Sequence, residues 1–205
     1  MVKRSFDIVV SGLALLLLWP LILLLAFLVR LDSAGQSFFP QVRVGRYFQP
    51  FRLWKLRSMA HGISGAEITS GDDARITRVG RFLRKSKLDE LPQLWNVFCG
   101  DMSFVGPRPE VARFVEHFRA DYEEILRVRP GITDPASIRY RHEAELLGAV
   151  SDPIKHYTNV ILPDKIKISK EYVRSQSFRK DIALIFQTAA VILHPRGSTS
   201  VASSS

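Results

Sequence analysis

From Ile8 to Val29 the chain reads IVVSGLALLLLWPLILLLAFLV, an apolar run interrupted only by Ser11, Gly12 and Pro20. About 22 residues suffice for a helix to cross a hydrocarbon core of about 30 Å, so this segment belongs in a bilayer. A cleaved signal peptide would have a shorter apolar core and a small-residue cleavage site, whereas Arg30, Leu31 and Asp32 follow here directly. Pro20 forfeits a helical hydrogen bond near the middle of the run and bends the helix there. Lys3 and Arg4 precede the run, and Arg30 with a basic remainder follows it. Positive residues prefer the cytoplasmic side, so a single span would put one of these groups on the wrong face. A helix that enters, breaks at Pro20 and leaves by the same face removes the conflict; a kinked span remains the alternative reading.

Beyond the apolar run the pattern changes period. Residues 38 to 60 alternate apolar and basic positions around Gly45 and Pro50, which predicts a short β-hairpin, centred on 41 to 57. Residues 61 to 74, rich in Gly, Ser and Asp, predict a mobile loop. Helical spacing returns over Ile76 to Lys85, Leu88 to Phe98, Glu110 to Val128 and Phe178 to Leu193. Leu88, Leu91, Leu94, Trp95 and Phe98 share one face of the second stretch. In the last, Ile182, Ile185, Phe186, Ala189, Ile192 and Leu193 do the same. Such stripes face either a core or a membrane interface. The Ser-rich end from Arg196 to Ser205 carries no core face and predicts a disordered tail. The expected organisation is a membrane segment over 1–30, one domain over 31–195 and a tail over 196–205, with an α+β, mainly helical fold.

Composition narrows the partners. The 205 residues, 46% apolar and 24% charged, suit one globular domain and exclude a disordered or fibrous chain. Cys99 stands alone and can form no internal disulfide, which fits a reducing compartment. A net charge of +9 requires an anionic partner: nucleic acid, a phosphorylated substrate or acidic lipid.

No phosphate-binding Gly-x-x-x-x-Gly-Lys loop, Gly-x-Gly-x-x-Gly, His-Glu-x-x-His or Gly-x-Ser-x-Gly occurs. The five histidines are scattered without ligand spacing. The chemistry concentrates between Thr77 and Glu110, TRVGRFLRKSKLDELPQLWNVFCGDMSFVGPRPE. Arg78, Arg81, Arg84, Lys85 and Lys87 approach the adjacent acids Asp89 and Glu90, and Pro92 suits the first turn of a helix. Neighbours on a helix point about 100° apart, so the two acids cannot face one reacting atom and take different roles. One carboxylate is suited to attack an electrophile while the other holds a divalent cation or a proton. A solvated helix start rich in ion pairs would show the same residues. Arginines bind phosphate through their planar fork, and Gly106-Pro107-Arg108-Pro109-Glu110 forms a stiff turn that would hold Arg108 in place.

The run KLDELPQLWNVFCGDMSFVGPRPE, with Lys3-Arg4-Ser5-Phe6-Asp7 before the apolar segment and Gln41-Val42-Arg43-Val44-Gly45-Arg46 and Lys55-Leu56-Arg57-Ser58-Met59 after it, resembles the bacterial sugar transferases that are small monotopic phosphoglycosyl transferases. The resemblance covers the chain from about Lys3 to Thr188. It implies transfer of a phosphosugar from a nucleotide diphosphate sugar, expected to carry UDP, to a polyprenol phosphate such as undecaprenyl phosphate. It further implies a re-entrant membrane helix breaking at Pro20, a requirement for Mg²⁺, and a catalytic domain on the cytoplasmic face of a bacterial inner membrane. Asp89 matches the family nucleophile and Glu90 its acidic partner, the expected Mg²⁺ ligand. Arg78, Arg81, Arg84 and Arg108 match positions facing the donor phosphates or the acceptor head group.

Two departures stand out. Trp19 precedes Pro20 where the family usually has Ser, which bears on the depth of the membrane turn. After Arg129-Pro130-Gly131-Ile132-Thr133 the chain continues Asp134-Pro135-Ala136-Ser137-Ile138-Arg139-Tyr140-Arg141 where many members have Gly and later Gln. On an extended segment Arg139 and Arg141 would share a face and could clamp a diphosphate. The competing reading from another class is a membrane-tethered basic module that binds acidic lipid or nucleic acid without chemistry; the aromatic and basic residues of Phe51-Arg52-Leu53-Trp54-Lys55 suit stacked bases as well as a hairpin. The transferase reading excludes nucleic acid as a partner.

Overall fold

The computed structural model describes residues 2–60 and 73–193. The expected loop over 61–74 lies outside the described residues except for its last two positions, as does the expected tail over 196–205. The apolar run forms one helix, α1 (Val2–Asp32), with Pro20 inside it. Asp7, Ser11, Ile22, Leu25, Ala26 and Val29 are buried along one face, while Leu13, Leu16, Leu17, Trp19, Leu23, Leu24 and Phe27 are exposed. The buried positions lie against the rest of the protein. A contiguous apolar face of this size is foreign to an aqueous surface.

The hairpin follows as β1 (Phe38–Val44) and β2 (Pro50–Leu56), antiparallel, with Phe39 opposite Lys55, Gln41 opposite Leu53 and Arg43 opposite Phe51. Because side chains alternate along a strand, Gln41, Arg43, Leu53 and Lys55 point to one face. At its tip Tyr47 and Phe48 both take positive φ, 56° and 62°. Bonds from the rest of the fold hold that conformation: the Tyr47 amide donates to the Leu126 carbonyl at 2.8 Å, and Arg46 Nε donates to the Arg127 carbonyl at 2.8 Å.

The remaining order is α2 (Arg78–Ser86), α3 (Gln93–Cys99), β3 (Ser103–Val105), α4 (Ala112–His117), α5 (Arg119–Ile125), β4 (Gly131–Thr133), α6 (Pro135–Arg139), α7 (Glu143–Gly148), α8 (Pro153–His156), α9 (Leu162–Ser175) and α10 (Phe178–Leu193). The fold is therefore mainly helical with a short antiparallel hairpin, as the sequence pattern predicts. Two expectations need correction. The single helix over Glu110 to Val128 is two, broken at Phe118 (φ −115°, ψ 35°), where the ring turns into the core. The segment from Thr133 to Arg141 is not extended: Pro135–Arg139 is helical, started by Asp134, whose carboxylate accepts from the Ser137 amide.

Three apolar clusters hold the fold. Leu25, Ala26 and Val29 of α1 pack with Leu56 and Leu83, and partly buried Leu21, Leu88 and Leu91 join them. Leu53, Val97 and Met102 fill the space beneath the hairpin. The largest cluster includes Phe114, Val115, Tyr122, Ile125, Leu147, Tyr157, Ile161 and Leu162. The parallel pair β3 and β4 requires glycine at its edge: a Cβ on Gly106 would stand 2.3 Å from the Arg129 carbonyl oxygen, and one on Gly131 would stand 2.1 Å from the Gly106 nitrogen.

Both ends of α1 are tied to the same globular body. At the start, Lys3 Nζ donates to the Val105 carbonyl at 2.7 Å and pairs with Asp181 at 2.6 Å, and Arg4 donates to the Val97 and Phe98 carbonyls. At the end, Asp32 accepts from the Val79 amide at 3.0 Å, and Arg57 donates to the Ser33 and Ala34 carbonyls.

Candidate active site

Helix α2 starts at Thr77, whose hydroxyl oxygen accepts from the Gly80 amide at 3.0 Å, and ends at Lys87, which takes the left-handed conformation at φ 58°. That reversal leads into a single 3₁₀ turn over Leu88, Asp89 and Glu90, and Pro92 then caps α3. Leu88 and Leu91 flank the two acids and pack against the cluster that includes Leu25, Ala26 and Val29 of α1, so this turn is seated on the apolar helix.

The acids diverge, as their spacing predicts. Glu90 Oε1 accepts from Arg108 Nη2 at 2.5 Å and from Lys55 Nζ at 3.3 Å. Burial would raise the Glu90 pKa, but Arg108 and Lys55 together hold it well below the usual carboxylate range. Glu90 in turn raises Arg108, which stays charged, whereas burial lowers Lys55 despite the same partner. Asp89 is 8% exposed and its Oδ1 is buried without a hydrogen-bond partner. Burial, with the neighbouring Glu90 charge, pushes the Asp89 carboxyl above its ordinary value, against the opposing pull of Lys55, Lys87 and Arg84.

Among the cations expected at this site, the structure brings Arg84, Lys87 and Arg108 to the acids. Arg84 Nε donates to Ser58 at 2.9 Å, and burial lowers its pKa against the pull of Asp89. Arg78 and Arg81 remain on the exposed surface of α2 and pair with neither acid. Arg139 ends α6 and faces Asp164 at 3.3 Å, and Arg141 Nε donates to His142 Nε2 at 3.0 Å. The shared extended face that would let Arg139 and Arg141 clamp one diphosphate is therefore absent. Trp19 and Pro20 lie exposed on α1.

Sequence reasoning assigned no role to Lys55, Arg43, Asp134 or Tyr157. Lys55 and Arg43 lie on the same face of the hairpin as the buried Leu53, and the alternation of basic and apolar residues is the signal for them. Asp134 is 1% exposed; besides capping α6, its Oδ2 accepts from the Arg108 amide at 3.3 Å, fixing the Gly-Pro-Arg-Pro turn. The departure from the family pattern at this position thus has a local structural use.

No group of three His, Cys, Asp or Glu residues with metal-binding geometry occurs among the described residues. Mg²⁺ is commonly held by one or two carboxylates, with phosphate oxygens and water completing its shell. Glu90 Oε2, whose contact with Arg108 Nη1 is long at 3.5 Å, fits that sparse protein contribution.

Sequence comparison accords with this geometry. The bacterial sugar transferase family profile matches residues 1–195. The chain is 37% identical over 201 residues to the UDP-N-acetylgalactosamine-undecaprenyl-phosphate N-acetylgalactosaminephosphotransferase of Aeromonas hydrophila, covering 94% of this chain and 44% of that protein. It is 37% identical to the UDP-glucose:undecaprenyl-phosphate glucose-1-phosphate transferase of Escherichia coli (strain K12), covering 92% and 39%. For the Caulobacter vibrioides protein of the same description, identity is 36%, with 93% of this chain and 69% of the relative covered. The chain thus spans less than half the length of the first two relatives. With the family profile matched over nearly its full length, the chain belongs to the bacterial sugar transferase family.

Proposed function

We propose that the chain transfers a phosphosugar from a UDP-sugar to undecaprenyl phosphate through a covalent intermediate on Asp89. The observation that carries the reading is the contrast between the two acids: Glu90 is held by Arg108 and Lys55, while Asp89 keeps an unpartnered buried oxygen beside it. A carboxylate aimed at a diphosphate must overcome charge repulsion, and Lys55, Arg84, Lys87 and Arg108 offset it. Asp89 attacks the sugar-linked phosphorus; the P–O bond to the nucleoside monophosphate breaks and that group leaves with the electron pair. An acyl phosphosugar remains on Asp89. The phosphate oxygen of the polyprenol phosphate then attacks the same phosphorus and releases the Asp89 carboxylate, which divides one transfer between anions into two steps. Glu90 would help hold Mg²⁺, which when bound would supply further charge neutralisation at the phosphoryl oxygens.

The setting suits a lipid acceptor. Both ends of α1 contact one globular body, which supports a re-entrant helix with its termini on one side of the membrane. Exposed Trp95 and Phe98 on α3 and Phe186 and Ile192 on α10 suit the headgroup level of the same leaflet. Positive residues at both ends of α1 favour the cytoplasmic face of the inner membrane.

The test omits the lipid. Purified protein, Mg²⁺ and a panel of UDP-glucose, UDP-galactose and UDP-N-acetylgalactosamine should give about one equivalent of UMP and an intact-protein mass increased by one phosphosugar. Neither adduct nor burst, under conditions where turnover with undecaprenyl phosphate proceeds, overturns the covalent route. Salt-sensitive lipid binding without UMP release from any donor, with or without undecaprenyl phosphate, would identify a binding module instead.

A further inference from the structure

Behind Glu90 and Arg108 lies a second set of polar contacts that the proposed transfer does not use. Tyr157 opens a one-turn π-helix, Tyr157–Ile161, and its hydroxyl donates to Glu110 Oε1 at 2.6 Å. Glu110 Oε2 lies 3.5 Å from Arg43 Nη1, which also donates to the Pro109 carbonyl at 3.2 Å. The Val44 amide donates to the Glu110 carbonyl at 3.0 Å. The stretch Arg108, Pro109, Glu110 is therefore held at three consecutive residues: Asp134 takes the Arg108 amide, Arg43 takes the Pro109 carbonyl, and Tyr157 with Arg43 takes the Glu110 carboxylate.

Tyr157 is 4% exposed and Glu110 9%. Burying a carboxylate against a phenol and a guanidinium is costly, and a core built only for stability would fill this space with apolar side chains. The Tyr157 ring already has such a role, packed 5.1 Å from the Phe114 ring, so its hydroxyl is what the packing alone leaves unexplained. A π-turn shifts the side-chain register of a helix, and such turns concentrate at functional sites.

The geometry points to Tyr157 as a positioning residue: its hydroxyl fixes Glu110, and with Arg43 the Pro109 carbonyl, so that the Arg108 guanidinium stands against Glu90. The kinetic part of the argument rests on the proposed transfer to Asp89; the structural part does not.

Two measurements separate these. Hydrogen exchange of the peptide spanning residues 103–112, read by mass spectrometry without any donor, should accelerate in Tyr157→Phe and stay at the wild-type rate in Phe114→Leu, which loosens the same packing but keeps the hydroxyl. Unchanged exchange in Tyr157→Phe overturns the inference whatever the protein transfers. With the UDP-sugar that gives UMP release from the wild type, Tyr157→Phe should slow the single-turnover burst about tenfold, the effect of one hydrogen bond to a charged group, with donor affinity unchanged. In an Arg108→Ala background the same substitution should have no further effect, whereas Phe114→Leu should add its full loss. Additive losses for Tyr157→Phe would reduce it to core packing. Accelerated exchange with no burst from wild type on any donor would leave Tyr157 as the support of Arg108 and refute the transfer chemistry instead.

Discussion

Asp89 and Glu90 are adjacent in the chain, yet Glu90 Oε1 lies 2.5 Å from Arg108 Nη2 while Asp89 Oδ1 is buried with no partner. One acid is charge-paired and the other is buried with an oxygen unpaired. The left-handed Lys87 and the single 3₁₀ turn separate their directions, and the apolar neighbours Leu88 and Leu91 anchor the turn on α1.

Asp89→Asn should abolish UMP release and the mass adduct while raising Tm by a few degrees. The amide removes a buried charge that lacks a hydrogen bond, and about 1 kcal/mol shifts the Tm of a domain of this size by about 2–4 °C. A large fall in Tm, measured by thermal unfolding in the same detergent, would show that Asp89 has a structural role.

Glu90→Gln should behave in the opposite way. It leaves Arg108 and Lys55 facing each other without their shared counter-charge. Breaking a buried pair costs about 3–5 kcal/mol, but Arg108 is a third exposed, so about 2 kcal/mol is expected. The burst should slow and the adduct should still form, because Asp89, the proposed nucleophile, is intact. Thermal unfolding and the lipid-free burst, measured on one preparation, check both halves.

The pKa directions give the two acids opposite pH signatures. In the proposed mechanism Asp89 attacks as the carboxylate; its pKa is raised, chiefly by burial, so the burst rate should fall on acidification with a midpoint above the ordinary Asp value of 3.8. For stability the signs follow from proton linkage. Between its unfolded and its raised folded pKa, Asp89 binds its proton more tightly in the folded state, so its contribution to stability is lost as pH rises through that window. Glu90 is lowered in the folded state, so its contribution is present above about pH 4.5 and is lost as pH falls below it. Asp89→Asn should remove the first dependence and Glu90→Gln the second, as read from Tm against pH.

Arg139→Ala and Arg141→Ala should change the donor KM by less than about twofold, in contrast to Arg108→Ala. Arg139 is 64% exposed and its ion pair with Asp164 lies at the surface, where such pairs contribute about 0–1 kcal/mol. Donor KM values for the three variants decide whether the segment from Thr133 to Arg141 reads the nucleotide.

What was legible in the sequence is what local pattern encodes. The apolar run of α1, the alternation of the hairpin and the stripe of α10 each carry their own period, and the divergent directions of Asp89 and Glu90 follow from helical geometry alone. Phe114, Val115, Phe118, Tyr122 and Ile125 keep helical spacing across the break at Phe118, so pattern reading joins two helices into one. Helices α6 to α8 are too short for a periodic signal; α6 and α8 are marked by Asp134-Pro135 and Asp152-Pro153, an N-cap followed by proline in the first turn. The pairing of Lys55 with Glu90 and of Tyr157 with Glu110 joins residues far apart in the chain. No local signal specifies either.

The topology of α1 gives the last prediction. Lys3 pairs with Asp181 of α10 and bonds the Val105 carbonyl, while Asp32, at the other end of the helix, caps α2. A helix of 31 residues extends about 46 Å if straight, longer than a hydrocarbon core of about 30 Å. If α1 spanned the bilayer, either Lys3 or Asp32 would have to abandon contacts with a body that lies on one side. Single cysteines at Val2 and at Ser33, in a background with Cys99 replaced by Ser, should both resist a membrane-impermeant reagent applied to intact cells, and labelling at either position contradicts the re-entrant reading. Asp181→Asn tests the latch separately, because it weakens the hold on Lys3 without altering the positive charge at the N-terminus. Pro20→Leu restores the missing helical N–H and favours a straight helix. Combined with Asp181→Asn, it should admit label at Val2, while Ser33, still held with the globular body through its carbonyl and Arg57, stays protected.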